Sequence, residues 1–250
     1  MHLRYRVAVL LSILGCLTLG ATFAQAAKPA NPTINSVVGK EVQHVNLGIG
    51  PVGTATCVLG QAGTPTSALD WLLPPNDRYF TLLEVNQCTQ CGLSGLQLKT
   101  AKILLDFVVG CTQPVEVSIV GSNGDPNCPA PDMLNIICPP ILYNLAVPAS
   151  GLYEFSMPLP AGCCINQNAF LQINFTVTGP GCGGAATRPY LVLNESCSPC
   201  KSYNIWATGS SEWCAFGLPD GNPMMTVDAD CCTPVGTEKH SWGRLKMLYR

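Results

Sequence analysis

Residues 169–178 read Ala-Phe-Leu-Gln-Ile-Asn-Phe-Thr-Val-Thr, and this stretch decides the fold. Its odd-numbered residues are all apolar, whereas Gln172, Asn174, Thr176 and Thr178 fill four of the five even-numbered positions. Because the side chains of a β-strand point alternately to opposite faces, this period of two predicts a strand with one apolar and one polar face. Half-buried strands of this kind are typical of antiparallel sheets.

The same alternation recurs along the chain. It is found in residues 114–120, 152–157, 190–194 and 225–229, and clusters of Gly, Pro, Asn and Asp separate these segments. Residues 93–109 could begin as a helix, but their second half alternates and favours a strand. We therefore predict an all-β protein, an antiparallel β-sandwich of jelly-roll type with multiple disulfides.

The N-terminus predicts export. Residues 1–6 are basic, residues 7–19 are apolar, and Ala24-Gln25-Ala26 supplies a small-residue cleavage pattern. This order is typical of a signal peptide over residues 1–26, and its apolar run is too short to span a bilayer. An alternative is a lipoprotein cleavage site before Cys16. We expect a secreted, extracellular or cell-surface protein, periplasmic if retained, without a membrane span after cleavage.

The composition excludes some functions. Cleavage after residue 26 leaves 224 residues with 11 basic and 15 acidic side chains, hence a net charge of −4. A chain with so few basic residues has no electrostatic footprint for nucleic acid. At 47% hydrophobic and 11% charged residues, it can bury a core.

The cysteines predict disulfides. Removal of Cys16 leaves an even set, which in an exported protein is most simply a disulfide framework whose connectivity the sequence leaves open. The 14 remaining residues are Cys57, Cys88, Cys91, Cys111, Cys128, Cys138, Cys163, Cys164, Cys182, Cys197, Cys200, Cys214, Cys231 and Cys232.

Two Cys-x-x-Cys pairs, Cys88/Cys91 and Cys197/Cys200, have alternative interpretations. Four thiolates could bind zinc, and a single pair could act in thiol exchange at the start of a helix. An oxidising compartment and the absence of a βαβ pattern favour disulfides instead. In the vicinal pairs Cys163-Cys164 and Cys231-Cys232, we expect each sulfur to bond a different partner.

Catalytic groups are scarce, and whether the protein is an enzyme stays open. The only histidines after the signal peptide are His44 and His240, and no nucleophile elbow or phosphate loop is present. Asp228 and Asp230 share one face of a predicted strand, and with Asp220 they are candidate calcium ligands. The alternatives are a solvated strand edge and a carboxylate pair of a glycoside hydrolase.

An aromatic cluster suggests carbohydrate binding. Tyr203, Trp206 and Trp213 lie within eleven residues rich in Ser, Thr, Asn and Gly. Exposed rings beside amides, including that of Asn222, would stack on a sugar and hydrogen-bond its hydroxyls. The alternative is that the rings pack in the core.

Residues 236–250 form a basic tail. Trp242, Leu245, Leu248 and Tyr249 would share one face of a helix capped by Ser241. The tail, of the form Ser/Thr-Trp-Gly-x-x-Lys-x-x-Tyr/Phe-Arg, and the two Cys-Cys pairs resemble uncharacterised exported, cysteine-rich bacterial β-sandwich proteins. The resemblance implies no known activity. The tail is either a terminus packed on the domain or a sorting or docking peptide.

The predicted organisation is a signal peptide (1–26), a linker (27–40), a disulfide-rich sandwich (41–235) and the tail (236–250). We expect a non-catalytic extracellular module that binds a polysaccharide or a cell-surface component, or acts in adhesion. The alternatives are a self-associating structural subunit of an envelope or appendage, and a glycoside hydrolase on a jelly-roll scaffold.

Overall fold

The structure, a computed structural model, describes residues 34–42, 57–72, 77–175, 182, 187–216 and 221–232. The chain divides into two units, residues 1–32 and residues 33–250, and all described residues belong to the second. The predicted signal peptide, His44, Asp220 and the predicted tail with His240 lie outside the described residues.

Seven strands form the first sheet. Neighbouring strands are antiparallel, except that the first two are parallel. Their order across the sheet is β1 (Ile34–Val38), β8 (Pro131–Val147), β7 (Cys111–Ser122), β11 (Ala169–Asn174), β5 (Arg78–Leu83), β13 (Ser202–Trp206) and β14 (Gly209–Glu212).

Eight strands form the second sheet. Its main order is β2 (Lys40–Glu41), β9 (Gly151–Pro158), β6 (Leu96–Phe107), β12 (Tyr190–Leu193) and β4 (Ser67–Leu72). The long strand β6 also pairs with β10 (Cys164–Ile165) and with β15 (Met225–Cys231), which in turn pairs with β3 (Cys57–Gly60).

The segment that decides the fold becomes the central strand β11. Ala169, Leu171 and Ile173 are fully buried in the core between the sheets. The inward residues of β6 and β9 pack in the same core, with Phe107 and Phe155 at a ring-centroid distance of 5.7 Å. Burying one such side chain contributes about 1.5–3 kcal/mol.

The prediction of an all-β antiparallel sandwich is confirmed. With 15 strands among its described residues, the protein exceeds the eight strands of a simple jelly roll. In the ambiguous region, a 3₁₀ helix (Thr89–Ser94) precedes β6, so the strand begins earlier than the alternation suggested. No helix among the described residues is long and apolar enough to cross a membrane.

Residues 34–42, which overlap the predicted linker (27–40), form a strap across both sheets. Its first strand, β1, pairs with β8, and its second, β2, pairs with β9. At the crossing, Gly39 N donates to the Ala146 carbonyl at 3.0 Å. A Cβ atom on Gly39 would lie 2.9 Å from the Phe155 ring, so any other residue there would require this ring to shift.

Candidate functional site

All 14 predicted cysteines form disulfides, which confirms the framework inferred from their even number. Each Cys-x-x-Cys pair and each vicinal pair sends its two sulfurs to different partners, as expected. Bonded in this way, they offer no thiolate to zinc. The seven disulfides are Cys57–Cys88, Cys91–Cys231, Cys111–Cys182, Cys128–Cys200, Cys138–Cys163, Cys164–Cys232 and Cys197–Cys214.

The three aromatic residues of the predicted sugar platform do not form one exposed surface. Trp213 is 1% exposed, and its Nε1 donates to the Gly221 carbonyl at 2.9 Å. Tyr203 is buried with its ring edge-on to Phe170. Trp206 alone is partly exposed. Trp213 and Tyr203 therefore pack in the protein, the alternative that the sequence left open.

Asn222 is also fully buried. Its backbone N–H donates to Asn194 Oδ1 at 2.8 Å, and its Nδ2 lies 3.4 Å from the carbonyl oxygens of Ser196 and Ser198. These bonds join the segment before β15 to the segment after β12. The Asn222 amide thus holds two loops together and is not presented to a ligand.

The two described acidic residues of the predicted calcium site face lysines of β6. Asp228 lies 2.8 Å from Lys102 Nζ, and Asp230 lies 3.7 Å from Lys99 Nζ. Within the described ranges, no three His, Cys, Asp or Glu side chains lie close enough together to hold a metal ion. With Asp220 outside the described residues, the calcium site stays a prediction.

A polar surface separate from the aromatic residues and the aspartates lies on the outer side of the seven-stranded sheet. Antiparallel register places Asn174 of β11 opposite Glu116 of β7 and Arg78 of β5. Two residues earlier on β11, Gln172 lies opposite Ser118. Directly opposite residues project to the same face, so these five side chains share one surface, which we call the outer polar face.

The two amides of the outer polar face are buried, although β11 turns them away from the core. Gln172 is 3% exposed and Asn174 is 8% exposed. Neither Gln172 Oε1 nor Asn174 Oδ1 accepts a hydrogen bond from any described residue. A buried acceptor without a donor costs about 1–3 kcal/mol. Both oxygens are closed off from solvent by the residues around them, so an added molecule would reach them only after these residues move apart.

Two charged side chains of opposite sign flank Asn174. Glu116 and Arg78 are both partly exposed, and neither forms an ion pair with a described residue. They lie two strand spacings apart, about 10 Å. The guanidinium offers donors and the carboxylate offers acceptors, so the row can bind a ligand that carries both.

An apolar cluster borders the outer polar face. Phe80, Leu82, Val120, Phe170 and Tyr203 pack together on the same side of the sheet, under residues 128–133. The Tyr203 hydroxyl lies 3.2 Å from Cys128 Sγ. Burial, followed by the negative charges of Glu212 and Asp125, raises the pKa of Tyr203. This border is closed by packing, so the partly exposed side chains of Arg78 and Glu116 are the accessible part of the outer polar face.

A separate polar cluster faces the interior. Asp77 is buried and hydrogen-bonds with Asn204 and Tyr79, and burial raises the pKa of its carboxyl despite these bonds. On the same face, Thr81 lies opposite Ser202, and neither hydroxyl has a hydrogen-bond partner among the described residues. The cluster lies inside the sandwich, so we assign it to structure.

A groove of about 590 Å³ lies beneath the strap. Asn35 to Val38 of the strap line one wall, and Ile141, Tyr143 and residues 158–160 line the other. The Tyr143 hydroxyl donates to the Pro158 carbonyl, and burial raises the pKa of Tyr143. Among the described residues, its lining contains no charged side chain.

Fold and surface define a disulfide-rich β-sandwich with polar side chains on the outer side of one sheet. Residues 75–228, more than half of the chain, match the family described as Domain of unknown function (DUF7451), and the chain belongs to this family. All five residues of the outer polar face lie within the matched region, whereas the strap and Cys57 precede it. No curated protein and no solved structure matches the chain.

The sequence did not single out the outer polar face. The alternation puts Gln172 and Asn174 on the polar side of a strand, which predicts solvation rather than burial. The available signal was Phe170 among the polar positions, which indicates that the second face is covered in part. Their grouping with Arg78 and Glu116 depends on strand register, which one sequence does not reveal.

Proposed function

We propose that this protein is a secreted, non-catalytic module that binds carbohydrate on the outer polar face. The observation that carries the proposal is the row of Glu116, Asn174 and Arg78, whose two charged ends are partly exposed and form no ion pair with a described residue. Sugar hydroxyls are donors that the Glu116 carboxylate can accept. They are also acceptors, as the guanidinium of Arg78 requires.

The spacing of the face supports an extended ligand. Gln172 and Asn174 are two residues apart on one strand, about 6.6 Å. The row from Glu116 to Arg78 runs across the strands, about 10 Å. Acceptors therefore lie at one end of the row and donors at the other, over an area larger than one small ion. A ligand with several hydroxyls can bind at several of these points at once.

The disulfides support the secreted location. They join strands and loops throughout the described chain, and such cross-links persist in oxidising compartments outside the cytoplasm. This agrees with the signal peptide predicted for residues 1–26. A comparison of the mature mass with that expected for cleavage after Ala26 tests both export and the lipidated alternative at Cys16.

A glycan array followed by titration calorimetry tests the binding proposal. The decisive variant is the double substitution Arg78→Ala and Glu116→Ala, because both side chains are partly exposed and their removal preserves the core. We expect at least a tenfold loss of affinity for the glycan that the native protein selects. The matched control is Asn127→Ala, an exposed amide in the loop after β7. Unchanged affinity in the double variant, or no glycan bound by the native protein, would contradict the proposal.

A second candidate function is a structural subunit that self-associates. It is favoured by β8, where Leu134 is 97% exposed and Ile136 is 57% exposed. Apolar side chains so exposed on a strand are typical of contact surfaces. Size-exclusion chromatography at micromolar concentration tests it. A subunit would form oligomers that Leu134→Ser dissociates, and a monomeric native protein would exclude this function.

A further inference from the structure

Two disulfides meet at the first Cys-x-x-Cys pair. Cys88 is bonded to Cys57 of β3, and Cys91 is bonded to Cys231 of β15. The two inner sulfurs, Cys88 Sγ and Cys91 Sγ, are not bonded to each other but lie only 3.6 Å apart. Four sulfur atoms thus follow one another in the order Cys57, Cys88, Cys91 and Cys231, with a non-bonded contact in the middle.

Local structure explains why the inner sulfurs are close. Cys91 N donates to the Cys88 carbonyl at 3.4 Å, at the start of the 3₁₀ helix Thr89–Ser94. In a 3₁₀ helix, side chains three residues apart eclipse each other, and three residues rise by about 6 Å. That rise falls within the Cα separation that a disulfide accepts, about 4.4–6.8 Å. A direct Cys88–Cys91 bond is therefore compatible with this turn.

The outer and inner sulfurs differ in access. Cys88 and Cys91 are buried, whereas Cys57 and Cys231 are partly exposed at neighbouring strand ends. The outer sulfur of each disulfide therefore belongs to the more exposed residue, where we expect an external thiolate to attack. In both cases the sulfur that leaves is an inner one, in contact with the other disulfide.

We propose that these four cysteines form an exchange centre, in which a small monothiol of the glutathione class converts the two disulfides into a Cys88–Cys91 disulfide. The external thiolate attacks Cys231 Sγ, the Cys91–Cys231 bond breaks, and Cys91 leaves as a thiolate. The Cys91 thiolate attacks Cys88 Sγ, the Cys57–Cys88 bond breaks, and Cys57 leaves as a thiolate that takes up a proton. Attack at Cys57 gives the same new bond, with the roles of Cys57 and Cys231 exchanged.

The exchange conserves atoms and electrons. Two disulfides and one external thiol become the Cys88–Cys91 disulfide, one mixed disulfide at Cys231 and one free thiol at Cys57. The product no longer ties the 3₁₀ helix to β3 or to β15. It also places a thiol and a bonded external group at neighbouring strand ends of the eight-stranded sheet, so the centre gives this sheet a covalent attachment point.

The second Cys-x-x-Cys pair supplies an internal comparison. Cys197 and Cys200 are also bonded to distant partners, Cys214 and Cys128. Cys197 and Cys200 both lie among the described residues, and their two sulfurs are not in contact with each other. Cys200 lies in the left-handed region with a φ of 63°, outside any 3₁₀ turn. We therefore expect exchange at the first pair and none at the second.

Disulfide mapping on the full-length protein tests the proposal. The native protein is incubated with a small excess of reduced glutathione at pH 8, quenched with N-ethylmaleimide at successive times, digested and analysed by mass spectrometry. We expect a peptide with an internal Cys88–Cys91 disulfide to accumulate, while Cys57 and Cys231 become alkylated or glutathionylated. Cys197 and Cys200 should stay bonded to Cys214 and Cys128.

A double variant, Cys91→Ser with Cys231→Ser, serves as the matched control. The variant keeps the Cys57–Cys88 disulfide but lacks Cys91–Cys231. Glutathione can therefore open Cys57–Cys88, but no Cys88–Cys91 disulfide can form. Alkylated Cys88 and Cys91 in the native protein, without the internal disulfide, would overturn the proposal. Equal formation of Cys88–Cys91 and Cys197–Cys200 would also overturn it, because the sulfur contact would then confer no selectivity. Both results come from the native protein and do not require the variant to fold.

Discussion

Replacement of Trp213 separates a structural role from a ligand-binding role for this residue. The ring is fully buried, lies edge-on to Tyr79 at a centroid distance of 6.1 Å, and donates to the Gly221 carbonyl. Truncation of a buried tryptophan to alanine costs about 3–5 kcal/mol. Loss of the hydrogen bond adds about 1 kcal/mol, so Trp213→Ala should lower the free energy of unfolding by about 4–6 kcal/mol.

Urea unfolding monitored by far-ultraviolet circular dichroism, with the disulfides kept oxidised, measures this loss. Trp213→Phe retains a ring against Tyr79 but leaves the Gly221 carbonyl without its donor, so we expect a smaller loss of about 1–3 kcal/mol. Trp206→Ala is the control, because its ring is partly exposed and packs on Gly209; it should cost less than Trp213→Ala.

Two results would refute this reasoning. One is a loss below about 1 kcal/mol for Trp213→Ala, since that is the range of surface substitutions. The other is a folded Trp213→Phe protein of native stability that no longer binds glycan, which would place Trp213 in the binding surface after all.

Three further substitutions test other parts of the structure. Burial raises the pKa of Asp77 above its ordinary value of 3.8. This carboxyl therefore contributes stability that is fully present below pH 3.8 and is lost as the pH rises through its folded-state pKa. Asp77→Asn should remove this part of the pH dependence of the melting temperature, measured over that pH range. Gly39→Val should clash with the Phe155 ring and detach the strap, which would appear as faster amide hydrogen exchange in residues 34–42 than in the native protein. Lys102→Met leaves Asp228 without its partner at 2.8 Å and should cost about 1 kcal/mol at low salt, and less at high salt if the ion pair is the cause.

The sequence predicted the parts of the fold that depend on local patterns. Alternation in residues 169–178 and in the other strands identified an antiparallel sandwich, because a half-buried sheet imposes a period of two. The even number of cysteines identified the disulfides for a similar reason, since an exported chain rarely leaves a thiol unpaired. The first inference needs only the order of neighbouring residues, and the second needs only the number of cysteines.

Features that depend on distant residues could not be predicted in the same way. Cys91 and Cys231 are 140 residues apart, and nothing near either one identifies the other. Trp206 and Trp213 lie in one polar segment, yet the first ends a strand and the second packs beside Tyr79. The composition of the surrounding sequence does not distinguish a ring that faces a ligand from a ring that packs in the core. Which ring packs in the core depends on the pairing of β13 with β5.

The strand that decided the fold also carries the candidate site, and its two faces explain why. Leu171 and Ile173 point into the core and fix the register of β11 between β5 and β7. Once that register is fixed, Gln172 and Asn174 cannot move independently of it. A central strand has neighbours on both sides, so Asn174 is held between Glu116 and Arg78 without any loop. The apolar half of the pattern thereby determines where the polar half lies, because both halves belong to the same strand.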